Sequence, residues 1–341
     1  MLSVAYGMDV RRVQITGGSS FMITLPKDWA NSVGLKKNDT VGIKVQPDGA
    51  LSLYPKGNIP MPRRSTKIID ATDVKDREFF FRQLVGAYIA GHTTILIKSE
   101  YPMASEVTAT VANFVQTSIG LEMIEADETQ ILVANLIEHD AIDTKKIIER
   151  MASLVKSMVW DFYNAASTGD LSGIKDMGSR DTEVDRIYWL TSRQYNIYQK
   201  DVAAPHKLSL PLYEMTACLF LSRILEGVGD HAVMMSEYLF SMEESNNGFS
   251  AVDKNAHAIG QRVTELLTKS VKSWVTKDIN LAEQSIKDAD GLIREMNLIS
   301  LTNRARVDNF TSVSEMMLFS SRRMAEWCRG IAEFAFNLAM E

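Results

Sequence analysis

The sequence predicts a multidomain, mainly α-helical protein with a small β-rich N-terminal region, a small α/β middle domain and a C-terminal pair of three-helix bundles. Three observations in the 341 residues predict this fold class. Helical spacing of apolar residues runs from Ile142 to the end, strand and helix patterns alternate before it, and short strand patterns separated by turn residues come first. The predicted domains are residues 1–55, 67–140, 141–250 and 251–341, with a proline-containing linker at 56–66.

The N-terminal region has the pattern of two β-hairpins around a short helix. Val13 and Ile15 alternate with polar neighbours, as expected for a half-buried strand, and the turn residues Gly17-Gly18 follow. The next β-rich run, from Phe21 to Leu25, stops at Pro26. A short helix is predicted from Lys27 to Val33, and two more strands, Val41 to Val45 and Leu51 to Tyr54, are joined by the turn residues Pro47-Asp48-Gly49.

Strand and helix patterns alternate in the middle domain. The strand patterns at 67–71 and 93–98 are each followed by a helical pattern that ends at a glycine. Two further strand patterns, 121–125 and 130–137, are separated by a polar turn. Such alternation predicts a small α/β sandwich. It contains no Gly-rich phosphate loop and no metal motif, so we assign it no chemistry.

Long helical patterns occupy the rest of the chain. The helical periodicity is interrupted at three places: Gly169-Asp170, Ala203-Ala204-Pro205 and Asn246-Asn247-Gly248. The pattern of residues 297–308 does not decide between a helix and a loop. Six long helices predict two three-helix bundles. The helices are predicted near residues 143–168, 170–200, 208–243, 252–276, 278–298 and 310–340.

Charge is distributed unevenly along the chain. Residues 1–66 carry nine Lys or Arg against four acids, whereas the whole chain has a net charge of -6. A basic head on an acidic body is expected of a nucleic-acid-binding module fused to another domain. A solvated basic face is the alternative. The head also resembles a known family through Arg12-Val13-Gln14-Ile15, Gly17-Gly18, Ile23-Thr24-Leu25-Pro26, Trp29, Val33-Gly34-Leu35 and Asp39.

Those residues resemble the AbrB/SpoVT swapped-hairpin domain over residues 8–55. The resemblance implies an interleaved homodimer that binds DNA through basic residues, although some members of the family serve as dimerisation or antitoxin modules. The phosphate-facing candidates that we carry over are Arg11, Arg12, Lys27, Lys36 and Lys37.

Two pairs of carboxylates mark the first predicted bundle. Glu226 and Asp230 are four residues apart on an apolar helical pattern, and Asp181 and Asp185 repeat this spacing on the helix before it. Residues four apart share a helix face, where like charges repel and burial raises the cost. Such pairs persist when a cation, a basic side chain or water compensates them. Arg223, three residues before Glu226, could neutralise it without any metal.

The helical region resembles the PhoU family of phosphate-uptake regulators over residues 142–341. The resemblance rests on two motifs and Glu237: Asp181-x-x-Val184-Asp185 and Arg223-x-x-Glu226-Gly-x-Gly-Asp230-His231-Ala232. The order of the domains is also similar to that of archaeal PhoU-like regulators. The resemblance implies a face of acids that binds metal ions. The metal-ligand candidates are Asp181, Asp185, Glu226 and Asp230, with a divalent or trivalent ion of unknown identity. His231 is expected to point away from that face.

The two predicted bundles are a weak repeat with one acidic site. Arg223, Glu226 and Ala232 are matched one hundred residues later by Arg323, Glu326 and Ala332. Gly330 stands where Asp230 would be and Ile286 stands where Asp181 would be, so we expect the second bundle to lack an intact site. In the first bundle, Gly227 and Gly229 predict close approach of a neighbouring helix, since glycine costs about 1 kcal/mol in a helix interior.

These features favour a cytoplasmic, non-enzymatic regulator of phosphate uptake that binds DNA through its head and senses metal, phosphate status or partners through its helices. Implied partners are DNA, a second copy of the chain, phosphate-transporter components or a signalling kinase. A protein-only adaptor, with the head as a dimer clamp, is the alternative, and a metalloenzyme is a third possibility. No secretory signal or membrane span is expected, and no Glu-x-x-His pair, nucleophile elbow or Walker loop occurs.

Overall fold

The computed structural model divides the chain into two compact units, Met1–Arg63 and Arg64–Glu341. The secondary structure confirms the predicted fold class, which is mainly α-helical with a small β-rich head. Each unit is described by itself. The residues that the structure describes are 9–18, 20–45, 49–55, 65–137, 143–200, 211–244, 256–304 and 312–340.

The first unit contains two small antiparallel hairpins and one short helix. β1 (Gln14–Thr16) pairs with β2 (Ser20–Met22), and β3 (Val41–Val45) pairs with β4 (Leu51–Pro55). Helix α1 (Lys27–Ser32) lies between them in the chain and buries none of its residues. β2 ends before the predicted Leu25, and Pro47 and Asp48 of the predicted turn lie outside the described residues.

The middle domain has a four-stranded mixed sheet with strand order β5-β6-β8-β7. β5 and β6 are parallel because α2 crosses between them, and the other pairs are antiparallel. Phe80, Leu84 and Phe114 from the helices pack with the sheet in one buried core. The elements are β5 (Thr66–Asp70), α2 (Arg77–Ile89), β6 (Thr94–Lys98), α3 (Ser105–Thr117), β7 (Leu121–Ala126) and β8 (Gln130–Asn135).

Thr66, predicted to belong to the linker, is the first residue of β5, and 56–64 lie outside the described residues. The other predicted domain boundaries, near 140 and 250, also fall outside them and stay predictions.

Six long helices follow within the described residues, as predicted. Gly169 ends the first in the left-handed conformation (φ 78°), and the predicted helix at 170–200 starts with a separate 3-10 turn, Leu171–Ile174. The ambiguous segment is helical as far as Arg304. No helix within the described ranges is both long and apolar enough to cross a bilayer. The helices are α4 (Thr144–Thr168), α5 (Met177–Lys200), α6 (Leu212–Glu244), α7 (Ala256–Thr276), α8 (Ile279–Arg304) and α9 (Ser312–Ala339).

Helices α4, α5 and α6 form one bundle and α7, α8 and α9 form another, and the two share a continuous core. α4 packs on α7, and α6 packs on α9. The α4–α7 contact is so close that a Cβ on Gly260 would lie 2.4 Å from Cβ of Tyr163. The fully buried Tyr163 hydroxyl shares a 2.7 Å hydrogen bond with Ser321 of α9. Glycine is therefore required at 260 for the bundles to pack.

Helix α5 also binds the middle domain, through hydrogen bonds to the end of α2. Arg193 is only 1% exposed and donates to the carbonyl oxygens of Tyr88 (2.6 Å) and His92 (2.9 Å). Its guanidinium lies over the Tyr88 ring, 4.8 Å from the centroid, and Asn196 donates to the Ile89 carbonyl. A cation at the C-terminal carbonyls of α2 is stabilised by the helix dipole. Burial raises the pKa of the Tyr88 hydroxyl to about 12, so this side chain stays neutral.

Candidate functional site

The structure brings the predicted carboxylates of α5 and α6 together. Asp181 and Asp185 lie one turn apart on α5, facing Glu226 and Asp230 on α6. One carboxylate oxygen from each of Asp185, Glu226 and Asp230 lies within 4.8 Å of the others. Asp181 adjoins this group on the same face. We call Asp181, Asp185, Glu226 and Asp230 the carboxylate cluster.

Gly229 makes room for the cluster. A Cβ on Gly229 would lie 3.1 Å from Oδ1 of Asp181 and 3.4 Å from Cγ1 of Val184. The close approach of a neighbouring helix predicted from the glycines is therefore present at this position. At Gly227 the neighbour is Trp327 of α9, 3.7 Å from where a Cβ would stand, which is an ordinary contact distance.

Burial and mutual repulsion raise the pKa values of the carboxylates. Burial raises the pKa of Asp185 to about 7, with further contributions from Asp181, Glu226 and Asp230. Burial, followed by the charges of Asp230 and Glu226, raises the pKa of Asp181 to about 6. The pKa of Glu226 is raised by burial and by Asp230 and is opposed by Arg223. Each ionised cluster member therefore disfavours ionisation of the next.

Arg223 forms the predicted ion pair, with Glu226. Its guanidinium also lies over the ring of Tyr188 of α5, 5.5 Å from the centroid. The Arg223 side chain is 59% exposed, whereas that of Glu226 is only 11% exposed. Among the described residues this is the one ion pair made by the four carboxylates, so Asp181, Asp185 and Asp230 have no paired cation there.

The cluster fits a hard metal ion. All of its donors are carboxylate oxygens, which suit ions such as Mg²⁺, Ca²⁺ or Mn²⁺. Oδ1 of Asp181 is buried and has no hydrogen-bond partner in the described part of the chain, although buried polar atoms almost always have one. A cation held between α5 and α6 would satisfy this oxygen and offset the repulsion.

His231 lies outside the cluster, as predicted from its place beside Asp230. It is buried between α6 and α9, where its ring meets the Trp327 ring edge-on at 5.5 Å. Burial, followed by the charge of Arg323, lowers the pKa of this imidazole. His231 is therefore a neutral packing residue of the interface between the bundles.

The matching positions of the second bundle carry ion pairs in place of a cluster. Arg329, one hundred residues after Gly229, binds Asp290 at 3.1 Å and Glu333 at 3.4 Å. Glu326 pairs with Arg322 at 3.0 Å and with Arg323 at 3.4 Å. Asp290 and Glu326 are thus paired with arginines, and the described part of this bundle has no second acidic cluster, as expected from the sequence.

The basic candidates of the head are exposed in the first unit. Arg11 is paired with Asp9 at 2.6 Å, and the backbone N–H of Lys36 donates to Asp39. Contact of these side chains with phosphate stays a prediction. The full set is Arg11, Arg12, Lys27, Lys36 and Lys37.

Sequence reasoning missed two features around the site. Tyr188, one turn beyond Asp185, supports the guanidinium of Arg223. Gly229 leaves space beside Asp181, whereas Arg329, at the matching position of the second bundle, pairs with Asp290. The one-hundred-residue repeat would have revealed the second feature, had position 229 been compared with 329.

The geometry defines a class of protein: a duplicated helical-bundle protein with an acidic site in one bundle. Comparison with known proteins assigns its parts. Residues 148–239, from α4 to most of α6, match the profile of the PhoU domain, and residues 14–60 match "Antidote-toxin recognition MazE, bacterial antitoxin". The chain therefore carries a PhoU domain and a MazE/AbrB-type N-terminal domain, which confirms both resemblances.

Relatives with a named role are PhoU homologues. The chain is 27% identical to a phosphate-specific transport system accessory protein PhoU homolog from Borreliella burgdorferi, over 207 residues that cover 58% of this chain and 84% of the relative. A homologue of the same name from Caulobacter vibrioides is 34% identical over 92 residues, 27% of this chain and 37% of the relative. The crystal structure of PhoU from Pseudomonas aeruginosa is 18% identical, with a TM-score of 0.46, covering 59% of this chain and 97% of that one.

Proposed function

We propose that this protein is a cytoplasmic regulator of phosphate uptake whose first bundle senses a metal ion and whose head joins two copies and binds DNA. The convergence of Asp181, Asp185, Glu226 and Asp230 carries the sensing part. Four acids gathered at one half-buried position cost folding free energy, and this cost is offset when a cation occupies the site. Relatives named as accessory proteins of phosphate-specific transport support the biological setting.

The cluster would bind its cation in a pH-dependent way. Asp185, with a pKa near 7, and Asp181, with a pKa near 6, must lose their protons before they can act as ligands. Binding would draw α5 and α6 together, because each helix supplies two carboxylates. Since α5 also holds α2 through Arg193, a shift of α5 would reach the middle domain.

Metal binding is tested by elemental analysis of the purified protein and by calorimetric titration of Mn²⁺ into chelator-treated protein. The variants D185N and E226Q are expected to weaken binding at least about tenfold, as expected when one charged ligand is lost. Asp290→Asn, which alters the matching acid of the second bundle, is the control and should bind as the original protein does. Equal binding by D185N and by the original protein would contradict the assignment.

Exposed apolar residues in the head support the homodimer. Ile15, Phe21 and Ile43 are 68%, 77% and 66% exposed, and α1 buries none of its residues. A unit this small cannot be stable with its apolar side chains in water, so a second copy would cover them. Ile15→Asp is expected to yield monomers in analytical ultracentrifugation, whereas Lys37→Gln should remain dimeric. An unchanged sedimentation coefficient for I15D would rule out this interface.

Binding to duplex DNA is tested by salt titration. A DNA reader that uses the five basic candidates should bind at moderate salt and lose affinity steeply as salt rises. Replacing Lys36 and Lys37 with Gln should reduce the salt slope by about two, one per lost phosphate contact.

The second candidate function is a protein-only adaptor in which the head serves as the dimer clamp. It is favoured by the MazE-type match, because that description names toxin recognition rather than DNA. No DNA binding even at low salt, together with capture of a phosphate-transporter component or a signalling kinase by the helical unit, would favour the adaptor.

A further inference from the structure

A cavity of about 570 Å³ lies where the middle domain meets α5, outside the carboxylate cluster. Its walls come from the C-terminal end of α3, the start of β7 and the segment after β8. Arg186 of α5 forms the remaining wall. This residue directly follows Asp185, so neighbouring positions of one helix face two different sites: Asp185 joins the cluster, and Arg186 lines the cavity.

The cavity has the composition of a small-molecule site. Its size falls within the range of about 300–1,000 Å³ that is common for ligand pockets, and such pockets are mostly apolar with a few polar groups. Val115, Leu121 and Met123 contribute aliphatic surface. Leu136 and Ile137, which are 62% and 37% exposed, extend this surface into solvent.

Its walls are held in place by hydrogen bonds. The backbone N–H of Leu136 donates to the carbonyl of Gly120 at 2.9 Å, and the Asn135 side chain donates to the carbonyl of Ile137 at 2.7 Å. The buried Tyr88 hydroxyl donates to the carbonyl of Ile119 at 2.8 Å. The pocket is therefore preformed, which reduces the entropic cost of binding.

Two buried polar atoms beside the cavity have no partner among the described residues. The Ser118 side chain is only 4% exposed and its hydroxyl makes no hydrogen bond there, and Nε of Arg186 is also buried without one. Arg186 shares Glu183 with Arg150, so two guanidiniums face one carboxylate. A guanidinium and a hydroxyl beside an aliphatic wall match a ligand that has an anionic group and an apolar body.

We propose that this pocket binds a small aliphatic carboxylic acid, with its carboxylate on Arg186 and its apolar body on Val115, Leu121 and Met123. Glu122 also lines the cavity and is exposed, so it is placed to accept an ammonium group if the acid is an amino acid. Binding here would give the first bundle a second input through α5, separate from the carboxylate cluster.

The test is calorimetric titration of the full chain with L-leucine and with 4-methyl-2-oxopentanoate, which shares its carbon skeleton but lacks the ammonium group. At least one of the two is expected to bind with a Kd of about 1 mM or tighter, and inorganic phosphate should not compete. Preference for L-leucine that disappears in E122Q would identify the ligand as an amino acid, and equal binding of both probes would identify it as a simple acid.

Two arginine variants locate the ligand. R186Q is expected to weaken binding at least about tenfold, whereas R150Q, which removes the other partner of Glu183 but does not line the cavity, should stay within about twofold. Val115→Phe, which fills the cavity without changing charge, should also abolish binding. No binding of either probe at about 10 mM, or equal loss in R186Q and R150Q, would overturn the assignment.

Discussion

The two bundles have the same arrangement of three helices but differ in the partners of their acidic side chains. In the first, four carboxylates gather opposite one arginine, and Gly229 leaves the space between α5 and α6 open. In the second, Arg329 occupies the matching position and binds Asp290 and Glu333. The second bundle thus lacks the counterparts of Asp181 and Asp230, where it has Ile286 and Gly330, and it carries an arginine at the position of Gly229.

The largest expected effect comes from placing the arginine of the second bundle into the first. Gly229→Arg should abolish Mn²⁺ binding, because the guanidinium would compete with the cation and the side chain would displace Asp181, which is 3.1 Å from the Cβ position. Calorimetry measures the loss. Gly227→Ala is the matched control: its Cβ has ordinary contacts, so it should retain binding and gain up to about 1 kcal/mol in unfolding free energy. Mn²⁺ binding by G229R at the original affinity would refute this account.

Asp230→Asn should change stability in opposite directions with and without metal. In chelator-treated protein it removes a repelling charge and should raise the unfolding free energy by on the order of 1 kcal/mol. In the presence of saturating Mn²⁺ it removes a ligand and should lower the melting temperature relative to the original protein. Calorimetric melts under both conditions measure this. Equal stabilisation in both would exclude a metal role for Asp230.

Asp185→Asn should remove part of the pH dependence of stability in the metal-free protein. The ordinary pKa of an Asp carboxyl is about 4, and that of Asp185 in the folded chain is raised to about 7. The contribution of the protonated Asp185 to the free energy of unfolding is fully present below about pH 4 and is lost as pH rises through about 7. The unfolding free energy of D185N relative to that of the original protein should therefore increase by on the order of 1–2 kcal/mol from about pH 4 to about pH 7. Denaturant titrations at a series of pH values give the difference, and parallel curves would show that Asp185 titrates normally.

The smallest expected effect is on the second bundle. Arg329→Gln removes the partner of Asp290 and Glu333, but all three side chains are 39–55% exposed. Pairs of this kind contribute about 0.2–1 kcal/mol, so the loss of stability should stay within that range. Denaturant unfolding measures it. A loss of several kcal/mol would mean that the arginine is as important to the second bundle as Gly229 is to the first.

Much of this arrangement could be predicted from the sequence, because helix periodicity and breaks are local properties. The predicted break at Gly169 is present, with that glycine in the left-handed conformation, and the spacing of Glu226 and Asp230 placed them on one face. Asp181 lies next to Gly229 because of the way α5 packs on α6. That packing depends on contacts between residues distant in the sequence, so helix periodicity does not predict it. The cavity beside Arg186 could not be predicted for the same reason, since Arg186 meets the other lining residues, all within 112–137, only through packing of α5 on the middle domain.

The contact between Tyr163 and Gly260 limits how the molecule can move. With a ring pressed against the backbone of α7 and its hydroxyl bound to Ser321, the inner helices of the two bundles cannot slide past one another without a clash. Among the described residues, α5 packs mainly against α4, α6 and the helices of the middle domain. We therefore expect α5, which bears Asp181 and Asp185, to be freer to shift than α4 and α7.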